Sequence, residues 1–248
     1  MLNIFSLRGK TILITGASSG IGRAVAQECA AAGADCIITA RNEERLKQTL
    51  ESLNGHGHQM HIAELSNIDA IMSLVESLPK LDGVVCCAGI VETKVLKFTD
   101  DSDLKRLFDT NAFSIIRLIR LLAQEKKLEK EASIVIISSI SGVKCGYVGG
   151  SIYGATKGAL EGFTKASALE LAPRKIRVNT ITPGMVESNL LNNSEISSEQ
   201  LEVDKLRYPM KRYGKPEEIG YAAVYLLSDA TKWMTGSSIL IDGGYTLN

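Results

Sequence analysis

Residues 11–33 read TILITGASSGIGRAVAQECAAAG, and this stretch decides the fold. Thr11–Thr15 is a short β-branched apolar run, the pattern of a buried strand. Gly16-Ala-Ser-Ser-Gly20-Ile-Gly22 follows without a break, and 21–32 is Ala-rich with apolar residues at helical spacing. A strand, a glycine-rich turn and a helix form the entry to a nucleotide site. The glycines permit a tight turn, and the helix start offers free N–H groups to phosphate. The spacing is G-x-x-x-G-x-G, which departs from the G-x-G-x-x-G dinucleotide fingerprint. A glycine-rich turn without a ligand is the plain alternative.

The same alternation continues outward. Strands are predicted over 35–40, 58–63, 81–88, 133–138, 176–181 and 238–241. Helices are predicted over 42–53, 67–78, 102–131, 151–171 and 216–228. Continuous apolar strands alternating with helices mean a parallel sheet covered on both faces. The expectation is α/β: a single doubly wound Rossmann-type domain over residues 1–248, with about seven strands. In such a sheet the ligand lies over the strand C-terminal ends, where the winding reverses. Those ends carry Gly16, Ala40, Glu64, Gly89, Ser139 and Pro183.

Composition narrows the function classes. The 28 basic and 28 acidic side chains cancel, whereas a nucleic-acid surface needs a basic excess. No apolar run approaches the roughly 18 residues of a membrane span. MLNIFSLRGK lacks the pattern of a secretory signal. The five Cys lack metal-ligand spacing. A cytoplasmic protein with reduced thiols and no metal is expected. His56, His58 and His61 cluster in HGHQMH, which reads as a solvated loop leading into a strand.

One pair carries acid–base chemistry. In 151–157 (SIYGATK), Tyr153 and Lys157 stand one helical turn apart on one face. A phenol has a pKa near 10 in water, and a fixed ammonium beside it is expected to pull that value down. A surface Tyr and Lys on a helix is the alternative for the pair alone.

Taken together, these motifs resemble the short-chain dehydrogenase/reductase family, in particular its compact 3-oxoacyl-[acyl-carrier-protein] reductases. The resemblance runs through TGASSGIG at 15–22, Asn111 in DTNAFS, Ser139 in SSISG, Tyr153 and Lys157, and ITPGMVES at 181–188. It closes with KRYGKPEEI at 211–219 and TGSSILIDGG at 235–244. It implies hydride transfer between a nicotinamide cofactor and a ketone or secondary alcohol. Ser139 would bind the substrate oxygen, and Tyr153 would exchange a proton with it. Lys157 would lower the Tyr pKa and hold the nicotinamide ribose. Asn111 would kink its helix and anchor a water beside Lys157. Ser138 and Ser141 compete for the Ser role, and the family's S-x-x-G register selects Ser139. The cofactor would lie along Gly16, Ser18, Ser19, Gly20, Ile21 and Gly22, then Arg41, Asn42, Glu64, Leu65, Ala88 and Gly89. Tyr153, Lys157, Pro183, Gly184, Val186 and Ser188 would complete its contacts.

Arg41 follows Ala40 where NAD-specific sites carry an acidic residue, so NADP (NADPH) is expected over NAD. Glu43 or Glu44 binding the ribose is the alternative. Two positions depart from the family: Cys86-Cys87 stands for the usual Asn-Asn, and Glu64 for the usual Asp. Buried thiols are read as small hydrophobes. Residues 186–210 are read as a substrate lid. Phe113, Ile116, Ile119 and Leu122, with Leu160 and Phe163, are read as core or subunit contact, and a homotetramer is expected. The substrate would be a small or carrier-bound carbonyl compound, with Lys130 and Arg174 beside the cleft for an acidic carrier. A non-catalytic redox sensor, a lyase or epimerase, and a sugar-alcohol or steroid dehydrogenase stay open.

Overall fold

The computed structural model describes residues 3–187 and 198–247. In chain order the larger elements are β1 (Thr11–Thr15), α1 (Gly20–Ala31), β2 (Asp35–Ala40), α2 (Glu43–Glu51), β3 (Gln59–Ile62), α3 (Ile68–Ser77) and β4 (Leu81–Cys86). Then come α4 (Asp101–Phe108), α5 (Ser114–Gln124), β5 (Leu128–Ile137), α6 (Ser151–Leu171) and β6 (Arg177–Pro183). The described chain closes with α7 (Ser198–Lys205), α8 (Pro216–Leu227) and β7 (Ser238–Ile241).

The seven strands form one sheet in the order β3-β2-β1-β4-β5-β6-β7, and every pairing is parallel. Winding reverses between β1 and β4, so a crevice opens over their C-terminal ends. The central strands are buried on both faces; every residue of β6 is buried. That is why they read as unbroken apolar runs. One face packs Val25, Leu46 and Leu226 from α1, α2 and α8. The other packs Leu74, Leu118 and Leu160 from α3, α5 and α6. Gly220 lets α8 approach α1, since a Cβ there would lie 2.7 Å from Glu28 Cγ.

The single helix expected over 102–131 is corrected. The chain forms α4, a π-turn at Asp109–Phe113, and α5, which ends at Gln124. Lys126 then takes a left-handed φ of 53° and Leu128 pairs with Leu81 to begin β5. Neither Gly nor Pro marks this stop. Glu131, at φ 70°, interrupts the ladder before Ser133 pairs with Gly83.

The apolar stripe is also resolved. Ile119, Leu122 and Leu160 are core residues of this chain, while Phe113 is 43% exposed. His58 has a structural use: its Nδ1 accepts from Cys36 N at 3.1 Å. Among the described residues no metal-binding cluster occurs, and no helix is long and apolar enough to cross a membrane.

Candidate active site

The glycine-rich turn is shaped by close backbone approach. Gly16 has φ 66°, and a Cβ on it would sit 2.8 Å from Ala88 Cα. A Cβ on Gly22 would sit 2.2 Å from Gly16 O. Thr15 fastens this junction, its Oγ1 accepting from Cys87 N at 3.1 Å and Ala88 N at 3.2 Å. Sequence reasoning missed Thr15; its signal was a hydroxyl on the last strand residue before Gly16. At the start of α1, Ser19 is the N-cap but its side chain makes no capping bond. The first-turn N–H groups and the positive end of the helix dipole are thus left to an anion. This uncapped end, beside a turn with no room for a Cβ, fits the diphosphate of a dinucleotide.

Arg23 was also missed. It reaches back from α1 to donate to Ser18 O at 2.8 Å and Thr49 Oγ1 at 3.0 Å. At the end of β2, Arg41 Nη1 lies 3.5 Å from Glu64 Oε2. Asn42 caps α2, accepting from Arg45 N at 2.9 Å. Leu65 is 7% exposed, with its side chain in the core, so only its backbone can serve a ligand.

The catalytic candidates converge on the same rim. Ser139 stands two residues past the end of β5, with its hydroxyl beside Tyr153. Its Oγ also accepts from Ser141 N at 3.1 Å. Ser138 points away, donating to Lys157 O at 3.4 Å. Gly142, at φ 80°, passes directly over α6; a Cβ there would lie 2.0 Å from Gly154 O. Lys157 is buried on α6, one turn beyond Tyr153, and donates from Nζ to Ile137 O at 3.0 Å. Asn111 lies in the π-turn, where its Oδ1 accepts from Ile90 N at 2.7 Å. Its Nδ2 donates to Ile90 O at 2.9 Å and to Thr156 Oγ1 at 3.3 Å. A Cβ on Gly89 would stand 3.3 Å from Asn111 Oδ1 and 3.7 Å from Lys157 Nζ, so β4, the π-turn and α6 meet there.

The expected lowering of the Tyr153 pKa is corrected. Burial pushes it up to about 12, against the lowering influence of the Ser139 hydroxyl; the neighbouring Tyr147 raises it further. Lys157, whose Nζ stands 5.8 Å from the Tyr153 ring centre, does not offset this rise in the neutral phenol; burial takes its own pKa down to about 8. Tyr153 is therefore a neutral phenol with a proton to give. The thiols match their expected character: burial lifts Cys86 to about 12 and pushes Cys87 up as well.

Beyond β6, Gly184 N donates to Ile241 O at 2.9 Å. Val186 is buried and bridges to Gly214. Ser188 lies outside the described residues, as does 188–197 of the expected lid. Past that gap, α7 exposes Val203, with Leu206 and Met210 exposed after it. Tyr208 OH accepts from Met185 N at 3.2 Å, holding this segment against the strand end. Lys130 and Arg174 do not lie beside the cleft. Arg174 donates to Leu128 O at 2.5 Å, at the first residue of β5 and so at the opposite end from Ser139.

A glycine-rich turn, a phenol, a serine and a lysine on one Rossmann rim are the parts of an oxidoreductase of the short-chain class. Residues 16–246 match the family model described as Enoyl-(Acyl carrier protein) reductase. The 3-oxoacyl-[acyl-carrier-protein] reductase FabG of Rickettsia felis is 34% identical over 241 residues, covering 97% of this chain and 98% of that one. A solved short chain dehydrogenase/reductase family protein superposes with a TM-score of 0.86 at 35% identity, over 97% of this chain and 99% of that one. A short-chain type dehydrogenase/reductase from Mycobacterium marinum gives 0.89 at 33% identity, over 100% and 99%. The chain belongs to the short-chain dehydrogenase/reductase family. It is an NAD(P)-dependent enzyme acting on a carbonyl or hydroxyl group.

Proposed function

We propose that the chain is an NADPH-preferring reductase of 3-oxoacyl thioesters, with Asn111, Ser139, Tyr153 and Lys157 as its catalytic set. The observation that carries this reading is that Ser139, Tyr153 and buried Lys157 stand together on the rim that also holds the glycine-rich turn. The named activity of the Rickettsia felis relative supports the substrate class. So do the apolar side chains exposed at Val203, Leu206 and Met210, which offer a surface to an acyl chain.

The nicotinamide, when bound, supplies the hydride. Residues 16–22 would hold its diphosphate through backbone N–H groups, and Arg41 would take the ribose 2′-phosphate. Asn42 and the backbone at Glu64 and Leu65 border the adenine end. Ala88, Gly89, Pro183, Gly184 and Val186 border the nicotinamide end, with Ser188 next in the chain. Ser139 donates a hydrogen bond to the substrate carbonyl oxygen, where negative charge grows. Tyr153 Oη transfers its proton to that oxygen, giving the alcohol and a phenolate. Lys157 Nζ then faces the phenolate, and its charge favours that state. Asn111 holds the segment at Ile90 and orders the path by which a proton returns.

In this reading the enzyme works in the cytoplasm as a homotetramer. Phe113, Trp233, Leu240 and Leu247 are apolar surface that a second copy would cover. The experiment is a panel of a 3-oxoacyl thioester, an enoyl thioester, sugar alcohols and a steroid ketone, each with NADPH and NADH. The expected result is NADPH consumption with the 3-oxoacyl thioester. Turnover of the enoyl thioester alone, or of none of these, would refute the substrate assignment. Native mass measurement at micromolar protein checks the tetramer, and a monomer there counts against it.

A further inference from the structure

The ion pair at the adenine end carries a consequence for cofactor choice. Glu64 stands where the family usually has Asp, and its carboxylate lies beside Arg41. Both oxygens are in use. Oε1 accepts from Ser66 N at 3.3 Å and Ser66 Oγ at 3.0 Å, which fixes the carboxylate. Oε2 lies 3.5 Å from Arg41 Nη1. We infer that Glu64 limits the discrimination between NADPH and NADH, because it holds the Arg41 guanidinium in an ion pair that the 2′-phosphate must displace.

This rests on the reading of Arg41 as the 2′-phosphate residue. The pair is exposed, at 70% for the Arg41 side chain and 45% for Glu64, so it is weak and exchanges readily. A phosphate offers a bidentate partner of higher charge and wins the guanidinium. The competition still subtracts from binding, and only for ligands that carry the 2′-phosphate. Arg23, the other guanidinium near the turn, is already committed to Ser18 O and Thr49 Oγ1 and does not compensate. Glu43 and Glu44, in the first turn of α2, add negative charge to the same end.

The test uses Glu64→Gln, Arg41→Ala and the double variant, with thermal melts to establish folding. Adenosine 2′,5′-bisphosphate and adenosine 5′-monophosphate are titrated calorimetrically into each. The ratio of the two affinities cancels any change at the adenine. Removing an exposed pair is expected to raise that ratio roughly 2- to 5-fold in Glu64→Gln. In the Arg41→Ala background the same substitution is expected to leave the ratio unchanged. An Arg41-dependent ratio that Glu64→Gln fails to raise overturns the inference alone. So does an equal rise without Arg41, which assigns Glu64 to through-space repulsion. A ratio that Arg41→Ala leaves unchanged overturns the NADPH reading and this inference with it.

Discussion

The two halves of the rim solve recognition with different parts of the chain. At 15–22 the proposed working groups are backbone N–H groups, and Gly16 and Gly22 have no room for a Cβ. At 139–157 the proposed working groups are side chains, and the backbone fixes them in place. Lys157 is pinned to Ile137 O, and the loop carrying Ser139 lies on α6 through Gly142. Added atoms are excluded at Gly16 and Gly22 in the first half and at Gly142 in the second, whereas at Ser139, Tyr153 and Lys157 the constraint falls on chemistry. Substitutions in the two halves should therefore fail differently.

The sharpest contrast comes from Tyr153→Phe, which keeps the ring and removes the proton. Turnover is expected to fall at least about 100-fold, because positioned acid–base catalysis contributes roughly 10²–10⁴. Cofactor affinity, measured by NADPH fluorescence, should hardly move. Retention of half the activity would end the assignment. In the other half, Gly22→Ala places a methyl 2.2 Å from Gly16 O. It should lose cofactor binding and about 1–3 kcal/mol of stability in urea melts. A variant that binds cofactor normally would show that the turn is not tightly held.

Cofactor preference probes the edge of the backbone-built half, where a side chain reads the ligand. Binding of NADPH over NADH by at least about 10-fold is expected, since a charge-assisted hydrogen bond contributes roughly 1.5–3 kcal/mol. Arg41→Ala should erase most of that ratio, and Ala40→Asp should turn it toward NADH. Equal affinities in the unsubstituted protein would contradict the prediction.

The smallest effects are expected in pH profiles. Lys157 is held to about 8 from its ordinary 10.5, so between these values the unfolded chain binds more protons than the folded one. Stability contributed by this group therefore rises with pH from about 8 to about 10.5, and Lys157→Met should flatten that rise in thermal melts. Tyr153, raised to about 12, stays protonated near neutrality. Carbonyl reduction should thus vary little around pH 7, while alcohol oxidation climbs with pH. A steeper profile for reduction than for oxidation would reverse the proton assignment.

Much of this was legible in the residues. The strand–turn–helix at 11–32 set the first half of the site because glycine spacing and apolar runs are local signals. The parallel sheet followed from the alternation of such runs. What escaped depended on contacts distant in sequence. Thr15 becomes informative only when β4 arrives beside β1, and Arg23 only when α2 brings Thr49 within reach. The end of α5 was hidden because Lys126 turns left-handed without the usual glycine. The Tyr153 pKa was misjudged because spacing reports proximity to Lys157 but not the burial that both side chains share.

The π-turn at Asp109–Phe113 can be described as one residue too many in an otherwise ordinary helix. Deleting a residue there would let α4 and α5 join as one continuous helix, a change that local geometry favours. The cost falls on orientation: each residue advances the helix by about 100°, so a shortened turn would swing Asn111 away from Ile90 and Thr156. The chain thus carries a length mark that a stability screen would delete and an activity screen would keep. Comparing the same deletion in the two screens would separate what this helix needs in order to fold from what it needs in order to work.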